Sequence, residues 1–348
     1  MRPTTKDLAR AAGVSLATID RVLNGRPGVR EETVTAVNEA IDALGFVRNL
    51  SAANLARGRS YRFVFLLPRH GDEFLAALVE RIEEARAGLS GDAILVRHLR
   101  VLDEDPHQAA RVIAEQAPES VDGVAIMAPE SPQVRDAIDR LAERGVGVVQ
   151  FVSAQSLQRK IDFVGIDNGA AGATAARLLG RFAGGARGEV LVVAETMNAR
   201  DSLERRLGFD RVLTRDYPGL ASLPSLETHS DPDRARRIVR NAVISHPGII
   251  AAYILSSEAR APLEALRATC DLRKLVVIAH ERTRYTEAGL ASGDIDVVIG
   301  QDPGHLVRSA IRLLRARSDN REPIASQEQV RIDILIKENV RTGGDAPA

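Results

Sequence analysis

Nine short apolar runs, FVFLLP, AILV, VDGVAIMAP, VGVVQFV, DFVGID, EVLVVAE, IIAAYIL, KLVVIAH and DVVIG, succeed one another between residues 63 and 300, with amphipathic stretches between them. Runs so rich in Val and Ile read as buried parallel strands separated by helices. They come as two successive series, which predicts an α/β chain with two doubly wound parallel-sheet lobes and a ligand crevice near the carboxyl ends of the strands. The 348 residues allow about two to three domains and leave enough chain after the first sixty for a large core. The expected N-lobe runs from about 61 to 164 with a return at 300–324. The expected C-lobe fills 165–299 and 325–342, where EQVRIDILIKENV reads as a final strand.

Ahead of these runs, TTKDLARAAGVSLATIDRVLNGR (residues 4–26) reads as two short helices joined at Gly13-Val14, a helix-turn-helix. Thr4 stands three residues before Asp7, a capping-box spacing, and Leu8, Ala11 and Ala12 share one face. Ser15 can cap the second helix, whose Ile19, Val22 and Leu23 face inward. Ala17, Asp20, Arg21 and Asn24 share its outer face, where bases would be read. Val34, Val37, Ile41 and Leu44 mark a third helix ending at Gly45, so residues 1–48 form a three-helix head. Small three-helix domains also serve as protein-binding modules, and the pattern alone leaves that alternative open.

The stretch GVSLATIDRVLNGRPGVREETVTAVNEAIDALGFVRN, followed by SAANLARGRS, closely resembles the start of LacI-family transcriptional repressors. The family pattern is met at Val14, Ser15, Thr18, Ile19, Arg21, Val22, Leu23 and Asn24, with Leu16-Ala17 as the variable pair. The resemblance implies that Leu16, Ala17 and Arg21 read bases, Arg21 by a bidentate contact to guanine. Leu16 has an equal alternative at the rim of the core, and Asp20 replaces the usual serine. Residues 49–60 resemble the family's hinge helix and linker, with Leu55 matching a leucine wedged between base steps of the minor groove. Ala52-Ala53 stands where the family has alanine-arginine, so Arg57 and Arg59 are left to supply charge from the next turn or to remain solvated. The expected DNA contacts are Thr5, Ser15, Leu16, Ala17, Thr18, Asp20, Arg21, Asn24, Asn49, Leu55 and Arg57.

Charge agrees with this division. The chain holds 47 basic and 47 acidic residues, yet residues 1–62 hold ten Lys/Arg against six Asp/Glu, a head of +4 on a body of −4. That asymmetry confines phosphate contacts to the head. A homodimer, which the resemblance implies, would double them and demand a roughly palindromic operator on double-stranded DNA. A tetramer is not expected, for want of a leucine-heptad helix near the end.

From residue 61 onward the chain resembles the sugar-binding type I periplasmic-binding-protein body that LacI relatives carry, less closely than in the head. That resemblance implies a small polyhydroxy effector, a sugar, polyol or sugar acid, held by Asp72, Phe74, Ser153, Asp167, Arg205, Ser257, Glu281 and Gln301. Asp72 would accept hydroxyl protons and Phe74 would stack on a sugar ring, since the chain has no tryptophan. The alternative is that Asp72 caps the following helix and Phe74 packs beneath it. Arg205, in an arginine, two residues, glycine, aromatic pattern ending at Phe209, would clamp hydroxyls or a carboxylate. Glu281 replaces the usual aspartate, with capping of the helix near Thr283 as its structural alternative, and Ser257-Glu258 replaces an asparagine-aspartate.

No catalytic residue, metal ligand or cofactor is expected. The seven histidines (70, 98, 107, 229, 246, 280 and 305) form no pair at metal-ligand spacing, and no nucleophile elbow occurs. Asp167-Asn168-Gly169-Ala170-Ala171-Gly172 follows a strand and opens a helix but lacks the three-glycine spacing of a dinucleotide loop. The lone Cys270 suits a reducing compartment, and with no apolar run of bilayer length and no leader pattern the expectation is a cytoplasmic protein without a membrane partner. The sequence therefore points to an effector-controlled DNA-binding regulator, a repressor by resemblance. A sugar-modifying enzyme and an effector-unresponsive DNA-binding protein are the alternatives.

Overall fold

The computed structural model describes residues 3–23, 27–44, 46, 60–89, 91, 93–102, 105–157, 159–323 and 325–340. The chain divides into two compact units, residues 1–60 and 61–348. The expected hinge contacts Asn49, Leu55, Arg57 and Arg59, and the head residue Asn24, lie outside the described residues.

In the first unit, α1 (Thr5–Ala11), α2 (Leu16–Leu23) and α3 (Glu31–Leu44) pack around Leu8, Ala9, Ile19, Val37, Ala40 and Phe46. The capping box forms as its spacing predicts: the Asp7 carboxylate accepts from Thr4 N at 2.9 Å and the Thr4 hydroxyl accepts from Asp7 N at 3.4 Å. Gly13 turns the chain with φ +65°, and Ser15 Oγ caps α2 by accepting from Thr18 N at 3.1 Å. One inward position differs from the sequence reading. Ala9 is buried and Ala11 exposed, because a helix of seven residues is too short for its apolar period to fix the buried face.

The second unit begins with β1 (Tyr61–Pro68), α4 (Glu73–Leu89), β2 (Ile94–Leu102), α5 (Pro106–Ala114), β3 (Gly123–Ile126), α6 (Pro132–Glu143), β4 (Gly147–Phe151) and β5 (Asp162–Val164). Their strands form an all-parallel sheet in the order β2-β1-β3-β4-β5. The next series is α7 (Asn168–Phe182), β6 (Gly188–Ala194), α8 (Arg200–Asp216), β7 (Leu220–Ser222), β8 (Leu226–Glu227), α9 (Pro232–Ser245), β9 (Ile249–Ile254), α10 (Arg260–Arg267), β10 (Val276–His280), α11 (Arg284–Ser292) and β11 (Val297–Gly300). With β12 (Asp333–Leu335) from the tail, it builds the second sheet, β12-β11-β10-β9-β6-β7 with β8 also on β6. Every pairing there is parallel except that of β12 with β11. Strands covered on both faces explain the unbroken apolar runs: β3, β9 and β11 are buried along most or all of their length.

After β11 the chain returns as α12 (Pro303–Ser318), then α13 (Ala325–Glu328) and β12. Leu306, Val307, Ala310, Ile311, Leu313 and Leu314 of α12 join the core of the first sheet with Phe63, Phe65 and Val149. Arg317 grips the Asp162 carboxylate with two bonds of 2.6 and 2.8 Å, a fork-to-fork pair. The tail is shorter in strand than EQVRIDILIKENV suggests. Glu328 ends a helical turn and Lys337–Asn339 make a 3-10 turn, leaving three residues that pair with β11.

α7 and α8 lie unusually close. A Cβ placed on Gly172 would stand 1.8 Å from the carbonyl oxygen of Arg205, and one on Gly208 2.0 Å from that of Gly169. The glycines of the rejected dinucleotide loop thus serve helix packing and set where Arg205 emerges.

Candidate functional site

Each parallel strand ends toward the same side of its sheet, and the residues just past those ends supply the polar groups. Glu281 follows β10, Gln301 follows β11, Leu255 follows β9, Ser153 lies two residues beyond β4 and Asp72 four beyond β1. Arg205 reaches this place from α8.

The centre is a buried network. Arg205 Nε donates to Asn168 Oδ1 at 2.9 Å, Nη1 to the Leu255 carbonyl at 2.9 Å, and Nη2 to Glu281 Oε1 at 3.1 Å. Gln301 Nε2 donates to the same Glu281 oxygen at 3.1 Å. The two charged side chains are 3% and 1% exposed, so their attraction is barely screened, and each depends on the other to offset its desolvation. Glu281 Oε2 and Gln301 Oε1 are buried and have no hydrogen-bond partner among the described residues. Beneath the network, Tyr253 Oη and His280 Nε2 share a 2.8 Å hydrogen bond, and Phe209 stacks on Tyr253 with ring centroids 4.4 Å apart. Burial keeps His280 neutral, with the Arg205 charge acting in the same direction.

Backbone strain sits at the same strand ends. Glu281 has φ +61° and Val152 φ +64°, the left-handed region that costs a non-glycine residue about 1–2 kcal/mol. Glu281 is fixed there by its own N–H to the Ile299 carbonyl at 2.9 Å and by Thr286 Oγ1 donating to its carbonyl at 2.9 Å. Strain held by the surroundings in this way is a mark of functional positions.

Burial pushes the Glu281 carboxyl up to about 7; Arg205 and Gln301 oppose the rise, and Asp72 and Asp201 add to it. A folded value above the ordinary 4.5 means that the native state binds one more proton than the unfolded chain between those pH values. This group therefore costs nothing extra below about 4.5, and the cost grows as pH rises to about 7, to on the order of 3 kcal/mol. Urea unfolding midpoints followed between mildly acidic and neutral pH should fall more steeply for the parent than for Glu281→Gln. Parallel slopes would show that Glu281 ionises normally.

Two clasps join the lobes beside the network. Glu73 pairs with Arg260 and accepts from Tyr285 N at 3.3 Å, with the Arg260 guanidinium 5.2 Å from the Tyr285 ring centre. Arg200 bonds Ser156 and lies 3.5 Å from Glu130 while holding Glu204 at 2.7 Å.

Of the residues expected to hold an effector, Arg205, Glu281 and Gln301 meet in one cluster, and Asp72 is near enough to act on Glu281 electrostatically. The structure assigns Asp72 its alternative role as well, since its Oδ1 accepts from Leu75 N at 3.0 Å at the start of α4. Phe74 is 3% exposed in the first-sheet core with Leu78 and Ile82, so its ring packs under α4 and is not free to stack on a sugar. Asp167 is exposed and caps α7 through Ala170 N at 2.8 Å; Ser153 Oγ donates to the Ala128 carbonyl at 3.0 Å; Ser257 is half-buried after β9. Glu281 does not cap α11, a task performed by Thr283. Asn168, Tyr253 and His280 belong to the network but were not in the expected set. Only Asn168 carried a sequence signal, its place at the opening of a helix after a strand.

In the head, Thr5, Ser15, Ala17 and Arg21 are exposed, and Leu16 is 47% exposed and outside the head's core. Thr18 and Asp20 are half-buried, and Thr18 Oγ1 lies 2.9 Å from Ser15 Oγ. Among the described residues no group of His, Cys, Asp and Glu could hold a metal ion, and no helix is long and apolar enough to cross a membrane.

Residues 63–322 match the family model described as periplasmic binding protein domain, and residues 4–49 match that of bacterial regulatory proteins, lacI family. Catabolite control protein A of Priestia megaterium is 30% identical over 156 residues, 45% of each chain. The maltose regulon regulatory protein MalI of Escherichia coli K12 is 33% identical over 165 residues, 47% of this chain and 46% of that one. The chain spans about half the length of the curated relatives it matches. In fold it is similar to the Caulobacter myo-inositol binding protein (TM-score 0.71, 21% identity, 81% of this chain and 95% of that one). It is also similar to a Burkholderia graminis solute-binding protein in complex with D-arabinose (TM-score 0.70, 21% identity, 80% and 96%). The class is thus a periplasmic-binding-protein fold carrying a helix-turn-helix head. The chain belongs to the periplasmic-binding-protein-domain family over residues 63–322 and carries a domain of the lacI family of bacterial regulatory proteins at residues 4–49, and the two curated relatives named above are a catabolite control protein and a regulatory protein.

Proposed function

We propose that the protein is a transcriptional repressor that binds a roughly palindromic operator as a homodimer, and that a small polyhydroxy effector closing the two lobes alters its DNA affinity. The observation carrying this is the buried Arg205–Glu281–Gln301 network at the strand ends, where Glu281 Oε2 and Gln301 Oε1 have no hydrogen-bond partner among the described residues. The exposed face of α2 supplies the reading surface. The clasps Glu73–Arg260 and Arg200–Glu130 give closure a structural basis, and linkage requires that effector and operator change one another's affinity by the same factor. The hinge wedge Leu55 and its neighbours Asn49 and Arg57 remain part of this proposal on sequence alone.

Fluorescence anisotropy at fixed salt, on a labelled duplex from the protein's own upstream region and on a selected random pool, tests it with and without sugars and polyols. A specific duplex whose binding changes with one compound is the expected result; the absence of any preferred sequence would overturn the DNA half. Arg21→Ala should lose about 1–3 kcal/mol of discrimination at one base position without loss of folding, because Arg21 is exposed. Uniform weakening on all sequences would instead make Arg21 a phosphate contact.

A further inference from the structure

We propose that two ion-pair clasps of one polarity hold the lobes together without a bound effector, so that ionic strength sets the lobe equilibrium alongside the effector. Its bearing on regulation rests on the effector reading above; the latch itself does not.

Both clasps run the same way across the cleft. Glu73, the first residue of α4 in the first-sheet lobe, pairs with Arg260 and accepts from Tyr285 N at 3.3 Å, both in the second-sheet lobe. Glu130 and Ser156 of the first-sheet lobe face Arg200 of the second. Each time the acid lies on one lobe and the arginine on the other, so the two contacts draw the lobes together and a reversed charge at either would push them apart.

The arginines stand where a helix alone would not place them. Arg200 opens α8 and Arg260 opens α10, at the positive end of the helix dipole, and Ala199 and Ala259 before them give no side-chain cap. The compensation comes from acids. Arg200 holds Glu204 on its own helix and reaches Glu130 across the cleft, while Arg260 lies over the Tyr285 ring and finds its acid across the cleft in Glu73.

Half-exposed pairs of this kind are individually weak and readily screened; the side chains of Arg260 and Glu73 are 54% and 36% exposed. They act as a latch because the chain passes between the lobes after β5, after β11 and before β12, which tethers the two faces and keeps the effective concentration of each partner high. Raising salt from about 0.1 to about 1 M shortens the screening length from about 10 to about 3 Å and weakens both clasps together. The effector then shifts an equilibrium that salt has already set.

Pulsed electron paramagnetic resonance on the full chain tests this with no effector added. In a Cys270→Ser background, spin labels at His107→Cys, exposed at the start of α5, and at Arg237→Cys, exposed in the first half of α9, report the distance between the lobes. A large excess of unlabelled chain restricts the signal to pairs within one chain. At low salt the parent should give one dominant short distance. High salt and Glu73→Arg should each shift it to a longer one, and Glu73→Arg combined with Arg260→Glu should bring the short distance back. A parent already open at low salt overturns the inference, as does a distance that neither salt nor reversal changes, or a reversal that opens the lobes when the exchanged pair does not close them. If the reversed chain does not fold, the salt series decides alone. A latched chain whose DNA binding no sugar or polyol alters would sustain the latch and remove the effector reading.

Discussion

Arg205→Ala should unfold the second sheet's lobe at much lower urea than the parent, with a loss of about 3–5 kcal/mol. The reason is the partner left behind. Glu281 is 1% exposed, and Arg205 supplies the charge that offsets its desolvation, together with the donor to Asn168 and to the Leu255 carbonyl. A simple effector-clamp reading of Arg205 would have the same variant fold normally and merely lose its response. The two are separated by the double variant Arg205→Met with Glu281→Leu, which removes both charges and should recover most of the stability while remaining blind to effector. Equal instability in the single and double variants would show that packing around α8, not the ion pair, carries the loss. The first unit has its own core around Leu8, Ile19 and Val37, so the head should keep its helices in the single variant.

Gly172→Ala should be nearly as damaging, although it adds one methyl group. That methyl would stand 1.8 Å from the Arg205 carbonyl oxygen and 2.6 Å from its carbon, so α7 and α8 must separate. Overpacking of this kind costs about 1–3 kcal/mol and more where backbone faces backbone. Separation also draws Asn168, at the start of α7, away from Arg205 Nε, so that hydrogen bond should be lost as stability falls, and under the proposed function effector affinity should fall with it. Gly88→Ala, at a helical position with nothing within 4 Å of the added carbon, is the control and should be neutral or stabilising by up to about 1 kcal/mol. Thermal melts of the two variants that shift alike would refute the close-approach account.

Much of this was legible because the physics is local. Two series of Val- and Ile-rich runs can only be buried strands, and an acid or amide just past such a run must come to the strand-end side, as Glu281 and Gln301 do. The Thr4–Asp7 and Ser15 caps are decided within three residues of chain. Phe74 was ambiguous because its spacing to Leu78 and Ile82 is that of a core stripe, and sequence does not distinguish an aromatic under a helix from one facing a ligand. Asn168 was hidden because its partner Arg205 lies 37 positions away and is brought near only by the glycine contact of α7 with α8. β7 and β8, of three and two residues, are too short to carry a periodic signal.

Gln301 is followed at once by Asp302, the cap of α12, whose oxygen accepts from His305 N at 2.9 Å. The other end of that helix delivers Arg317 to Asp162 and, just past it, Asp319 to the hydroxyl of Tyr61 at 2.7 Å. Tyr61 is the first residue of the second unit, immediately after the segment leading from the head. A helix of sixteen residues, about 24 Å long, therefore has Asp302 and Gln301 at one end and the contacts to Asp162 and Tyr61 at the other. Because a helix is stiff along its axis, a shift of a fraction of an ångström at Asp302 would be carried to the Arg317–Asp162 and Asp319–Tyr61 contacts as one movement of the whole element.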